Sequence, residues 1–421
     1  THQIVFLLLA LCLIVVLARL LGTVARRAGQ PAVIGEVLAG IVLGPTLLGN
    51  AFSVSVFPND VRPFLTVLAN VGIALFMFLV GLELDAKLLR GYGKIAATVS
   101  VTSLIVPFGL GIALASYLVT GSHTTNRLGF VLFLGAAMSV TAFPVLARIL
   151  TDRGLSRTPL GGLALTCAAI GDVLAWSLLA VVVMLSGKGG TTPPNWVILL
   201  FPLYVAVMFL AVRPLLRRVF IAGMRLRTGQ LATVLAGVLV SGATTEWLGL
   251  HFIFGTFLFG VVMPRAGTEA LREAIVERVS EFNATLLLPA FFIVTGLKVS
   301  LSGIGLSGLG VLGLVLVVAI TGKFGGAFAG ARLHRLPVRQ SAALATLMNT
   351  RGLTELIILT VGLQLGVLDQ RLYSIMVLMA VITTAMAGPL LSLIRPSKMT
   401  EPDLAVDTAP ELVHSAGSGQ S

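Results

Sequence analysis

Asp172 lies in the middle of an apolar run, Thr158–Ser186, that is long enough to cross a bilayer. A carboxylate at that depth costs roughly 2.5–3.5 kcal/mol on insertion scales, which marks it as a functional-site candidate. A lone carboxylate can bind either a monovalent cation or a proton, and competition between the two produces exchange provided the empty charged site crosses poorly. Other charges stand in equally apolar surroundings. Lys323 falls inside Ala319-Ile-Thr-Gly-Lys-Phe-Gly-Gly, too deep to snorkel, and needs an anion or a polar cavity. Arg351 and Glu355 sit in Met348-Asn-Thr-Arg-Gly-Leu-Thr-Glu355 together with Asn349 and Thr350. Their spacing of four fits a structural ion pair as well as a transport role. Glu36 follows Gly35 in a short apolar run and fits a pathway role or a buried hydrogen bond equally.

Two segments near these charges should interrupt their helices. In Met138-Ser-Val-Thr-Ala-Phe-Pro144, Pro144 removes a backbone donor and pushes Phe143 away from helical geometry. Ser139 and Thr141 can then bond the freed backbone, face a cavity, or pack between helices. The polar crowd at 349–355 does the same to a later run. Interrupted spans in corresponding halves of a chain point to a transport site at the bilayer midplane, where unwound carbonyls could meet a cation.

The elements that must position these groups are helices in a membrane. The chain is 57% hydrophobic and 11% charged, which excludes a soluble enzyme and predicts an all-α polytopic membrane protein. Hydropathy windows predict thirteen spans, near 3–22, 32–48, 63–82, 94–119, 127–149, 159–186, 195–220, 229–247, 249–264, 283–298, 303–331, 339–365 and 371–394. With the N-terminus outside and the C-terminus in the cytoplasm, most of the 29 Lys and Arg fall in cytoplasmic loops. The +12 charge is therefore a topology signal, and nucleic acid is not an expected partner. Cys12 and Cys167 provide neither a disulfide framework nor metal spacing, and no cofactor or cleavable leader is expected. Thr268–Glu281 reads as an amphipathic cytoplasmic helix lying at the interface or as a solvated loop helix. The tail 397–421 reads as disordered.

An internal repeat accompanies the windows. Gly35-Glu-Val-Leu-Ala-Gly40 resembles Gly255-Thr-Phe-Leu-Phe-Gly260, and Phe76-Met-Phe-Leu-Val-Gly81 resembles Phe291-Phe-Ile-Val-Thr-Gly296. Each match pairs span n with span n+7. An odd offset inverts the copies in the membrane, as in many secondary transporters. The predicted layout is one transmembrane domain over 1–396. Repeat one covers about 1–186, a linker helix about 195–220, and repeat two about 228–395.

These stretches resemble the monovalent cation:proton antiporter-2 family of bacterial sodium/proton and potassium-efflux antiporters and plant cation/proton exchangers. The matching segments are Gln30–Pro45, Phe78–Asp85, Ser139–Leu150, Gly171-Asp172 and Met348–Leu356. The resemblance implies a sodium/proton antiporter fold of two inverted six-helix repeats with two broken crossing helices. It also implies a homodimer in a cell membrane whose mobile part moves elevator-fashion. It assigns Asp172 to cation and proton binding, with Ser139, Val140 and Thr141 beside it. It matches Lys323 to a lysine that usually pairs with an acid or amide preceding the aspartate. That position is Gly171 here, which leaves Lys323 to pair with Glu355 or Asp172, or to be deprotonated. A single carboxylate implies electroneutral exchange of one cation for one proton. A sodium-coupled symporter of an organic anion, or a potassium-efflux channel-like system, are the alternative readings.

Overall fold

The computed structural model describes residues 2–45, 47, 49–83, 93–119, 127–155, 158–186, 195–221, 228–264, 268–302 and 304–394. Among these there is no strand. The helices are α1 (His2–Arg27), α2 (Ala32–Leu43), α3 (Asn50–Val56), α4 (Arg62–Glu83), α5 (Gly93–Val119) and α6 (Arg127–Ser139). They continue with α7 (Phe143–Asp152), α8 (Pro159–Ser186), α9 (Asn195–Val207), α10 (Arg213–Ile221), α11 (Thr228–Trp247) and α12 (Phe252–Val262). The last six are α13 (Glu269–Phe282), α14 (Leu288–Leu297), α15 (Gly305–Leu333), α16 (Val338–Met348), α17 (Leu353–Gln364) and α18 (Gln370–Ile394). Single π-helical turns, Met208–Val212 and Asn283–Leu287, join α9 to α10 and α13 to α14.

Every hydropathy window falls on helix. Among the described residues, eight helices are long and apolar enough to cross a membrane, and α2, α12 and α17 are shorter apolar helices. The second window overshoots, because α2 ends at Leu43 and a separate short helix, α3, follows. The segment at 268–281 is not an isolated interfacial helix. Its residues form α13, which runs through the π turn into α14 as one continuous rod. Leu271, Ile275 and Val279 bury against the α4 residues Leu75, Phe78 and Leu82, and Arg272 caps the carbonyl of Leu82. Apolar spacing correctly marked a buried stripe there, but the stripe meets protein and not lipid. The tail beyond 394 lies outside the described residues, so the expectation of disorder for 397–421 is not addressed.

Helix packing divides into two sets. One set holds α5–α8 and α15–α18, and the other holds α1, α2, α4 and α9–α14. Between the sets, the packing of α2 on α18 is the main direct helix contact. The first set has one apolar cluster of its own and the second has two. A fourth, larger cluster joins them, with Val37, Ile73, Met77, Ile253 and Phe291 together with Phe133, Leu179, Leu356, Ile357 and Met376. Polar ties across this seam lie near its ends. Gln30 Nε2 donates to the Ala385 carbonyl at 3.2 Å, Tyr373 OH donates to the Thr295 carbonyl at 3.2 Å, and His251 Nε2 meets Gln364 Oε1 at 3.1 Å.

The repeated motifs act as close-approach points. A Cβ on Gly40 would lie 2.4 Å from the Ile293 carbonyl oxygen, and one on Gly296 would lie 2.6 Å from the Ile41 nitrogen. The same relation holds for Gly260 and Gly81, with 2.2 Å to the Phe78 oxygen and 2.2 Å to the Phe257 oxygen. Thus α2 packs on α14 as α12 packs on α4. A Cβ on Gly35 would lie 2.2 Å from the Leu21 carbonyl oxygen, and one on Gly255 would lie 2.1 Å from that of Ser241, each residue of the second pair 220 positions on from its counterpart. Small residues let backbones meet where lipid supplies no hydrophobic drive between helices. Gly40→Ala or Gly81→Ala should lower the melting temperature in detergent, with a loss of about 1–3 kcal/mol typical of overpacking. Gly171→Ala, whose Cβ meets nothing within 4 Å, should leave it level or raise it.

Candidate functional site

Both interrupted segments are breaks, and they meet. The chain leaves helix at Val140–Ala142, between α6 and α7, and again at Asn349–Gly352, between α16 and α17. Pro144 sits in the first turn of α7, where its missing N–H would have had no helical partner anyway. The breaks are stitched together by the Ala142 N–H donating to the Thr350 carbonyl at 3.1 Å and the Thr141 hydroxyl donating to the Met348 carbonyl at 3.1 Å. Gly352 leaves room for the crossing, since a Cβ there would strike Val145 Cγ2 at 2.6 Å.

A helix that ends inside a bilayer leaves its last four carbonyls without partners. In α6 all four are met by side chains. Ser139 Oγ donates to the Ala136 carbonyl at 2.8 Å. Arg351 donates to the carbonyls of Ala137 and Met138 at 3.3 and 2.7 Å. Lys323 Nζ donates to the Ser139 carbonyl and, at 3.0 Å, to the Ser103 carbonyl on α5. Two cations therefore face the negative end of a half-helix, the favourable pole for positive charge. Arg351 Nη1 also pairs with Glu355 Oε1 at 2.8 Å, with both side chains wholly buried, so the i,i+4 ion pair exists. The Thr384 hydroxyl on α18 pins the second break by donating to the Arg351 carbonyl at 2.7 Å.

Asp172, on α8, is 2% exposed. Its Oδ1 has no hydrogen-bond partner, the Phe143 amide at the start of α7 hydrogen-bonds the carboxylate, and Lys323 is the cation acting on it. That amide belongs to a helix N-terminus, a natural seat for negative charge. Asn349 Oδ1 is a second buried acceptor with no donor. Lys323 forms no ion pair with Asp172 or Glu355 within 4.0 Å, so neither of the expected carboxylate partners is used. The backbone carbonyls of Ser103 and Ser139 hold it instead.

The structure thus gathers Asp172, Ser139, Val140, Thr141, Lys323, Asn349, Arg351 and Glu355 around one crossing, with Gly171 beside Asp172 on α8. Glu36 is not among them. It sits half-buried on α2, and the charged groups around it are Arg148, Arg26 and Arg19. Sequence reasoning did not single out Ser103 or Thr384. A proline four residues after Ser103, and the Thr383-Thr384 pair in an apolar run, were the available signals. Among the described residues no group of three His, Cys, Asp or Glu could hold a metal ion.

A family model described as the transmembrane part of sodium/hydrogen exchangers matches residues 12–394. The chain belongs to the sodium/hydrogen exchanger family. It is 40% identical over 407 residues to the Na(+)/H(+) antiporter NhaS4 of Synechocystis sp., covering 94% of this chain and 99% of that one. It is also 40% identical to cation/H(+) antiporter 17 of Arabidopsis thaliana, covering 97% of this chain and 51% of the relative. K(+)/H(+) antiporter 1 of Saccharomyces cerevisiae is 33% identical, covering 91% and 46%. The chain therefore spans nearly the whole of the first relative and about half of the other two. The structure of the sodium proton antiporter MjNhaP1 from Methanocaldococcus jannaschii superposes with a TM-score of 0.69 at 16% identity, covering 93% of this chain and 97% of that one. The two share a fold, and this exchanger-family chain is a multi-pass membrane protein of a transporter family.

The capping scheme makes a stability prediction. Arg351→Met strands a buried carboxylate and uncaps two carbonyls, which should cost about 3–5 kcal/mol. Arg351→Met combined with Glu355→Leu should melt higher than Arg351→Met alone in detergent. A double variant no more stable than the single one would contradict the pairing.

Proposed function

We propose that the protein exchanges a monovalent cation, sodium or potassium, for a proton across a cell membrane, and that Asp172 carries both in turn. The observation that carries this reading is the unpartnered, buried Asp172 carboxylate oxygen beside two crossed helix breaks. Its neighbours suit both loads. The Phe143 amide stabilises the ionised carboxylate, and Val140, Ser139, Thr141 and Asn349 place further oxygens on the crossing segments. The names of the relatives, Na(+)/H(+), K(+)/H(+) and cation/H(+) antiporters, favour this function over a symporter or channel.

The two-set packing supports an elevator. The set with α5–α8 and α15–α18 contains the whole site, and it meets the other set across a mostly apolar seam that can slide without stranding polar groups. In this reading the thirteen windows each cross the bilayer, the halves at about 1–186 and 228–395 are inverted copies, and 195–220 links them. The matching glycine contacts of the two halves support that symmetry. The Lys and Arg bias puts the N-terminus outside and the C-terminus in the cytoplasm. We read the protein as a homodimer, joined through the set that does not hold the site.

With Gly171 supplying no second acid, the carrier has the same net charge whether Asp172 holds a cation or a proton. Exchange is then electroneutral, and the membrane potential, worth about 2.3 kcal/mol per charge per 100 mV, does not drive it. In proteoliposomes, Asp172→Asn should abolish cation-driven proton movement. Retained exchange would remove Asp172 from the site. The parent protein should give no gradient-driven current on a solid-supported membrane, and a sustained current would overturn electroneutrality.

A further inference from the structure

Lys323 is a buried cation with two carbonyl ligands, and both are carbonyls that their own helices leave unused. The Ser139 oxygen is free because α6 stops there. The Ser103 oxygen is free for a different reason. Residue 107, whose amide would close the α5 hydrogen bond back to residue 103, is a proline. Pro107 lies inside α5 where α5 crosses α15, and a Cβ on Gly322, next to Lys323, would lie 3.0 Å from Pro107 Cα. The freed acceptor and the ammonium are therefore presented at the same crossing of α5 and α15. Lys323 Nζ fills it at 3.0 Å.

We propose that Pro107 is a positioning residue for Lys323: by deleting one amide it supplies the second acceptor that holds the ammonium between α5 and α6. This deepens the exchange reading and rests on it for its effect on transport. Held by two carbonyls, the Lys323 side chain lies near Asp172 without claiming the carboxylate as a ligand. If the Ser103 acceptor is taken, the carboxylates whose charge reaches Lys323 are Glu355, already paired with Arg351, and Asp172, which has no ion-pair partner. The ammonium then competes there with the transported cation.

Pro107→Ala tests this in the full chain. Alanine keeps the Cα and Cβ that touch Gly322, and it restores the amide that bonds Ser103. In proteoliposomes the cation KM at fixed pH should rise about tenfold with little change in the maximal rate, the scale of one charge-assisted hydrogen bond. A general weakening of the fold would lower the rate and leave KM in place, and that result overturns the proposal. A second readout needs no transport. In Lys323→Met the Ser103 carbonyl is orphaned, so adding Pro107→Ala should raise the melting temperature more than it does in the parent. Equal shifts in both backgrounds, with no coupling, overturn the proposal even if the protein proves to carry a different substrate. If Pro107→Ala does not fold in the parent but folds in Lys323→Met, the coupling is shown directly. Pro107→Val, which restores the same amide, repeats the cycle should alanine fail in both.

Discussion

The end of α6 is the constraint on which the rest depends. A helix that stops in the middle of a membrane leaves four carbonyls pointing into a medium that cannot hydrogen-bond them. This protein answers each one with a side chain, from Ser139, Arg351 and Lys323. Two of those side chains are cations, so satisfying the helix imports positive charge. Glu355 balances Arg351 directly. Lys323 has no such partner, and its field falls on Asp172. The structural solution to a broken helix thus creates the electrostatic setting of the carboxylate.

The same economy governs the two sets of helices. The four fully buried charges of the crossing, Asp172, Lys323, Arg351 and Glu355, and both helix breaks lie in the set with α5–α8 and α15–α18. The seam to the other set is mostly apolar, with a few hydrogen bonds towards its ends. Motion along such a seam exchanges one apolar contact for another and strands few polar groups. In the other set backbones approach closely at glycines, and the contacts of Gly35 and Gly40 in the first half recur at Gly255 and Gly260 in the second.

Much of this was legible in the sequence. Hydropathy placed the helices because a bilayer punishes any other arrangement of polar backbone. Pro144 and the polar run 349–355 marked the breaks because proline and clustered polar residues cannot sit quietly inside a membrane helix. Thr268–Glu281 was misread because an apolar stripe at helical spacing does not say whether it meets lipid or protein. The carbonyl partners of Lys323 escaped the sequence because a search for its partner looks for carboxylates, whereas backbone carbonyls are invisible in side-chain terms. Pro107 was the one visible mark of that acceptor, and it passes as an ordinary membrane-helix proline.

The sequence by itself determined the class of protein, the positions of the spans and breaks, and Asp172 as the costly charge. These follow from local composition, since each depends on what a short segment can tolerate in lipid. Only the tertiary structure decided which groups meet: Arg351 and Lys323 on the carbonyls of α6, the Phe143 amide on Asp172, Glu36 away from the crossing, and α13 on α4. Those contacts join residues up to 214 positions apart. Their geometry is set by how closely α5, α15 and the glycine-paired helices pack, which no local pattern encodes.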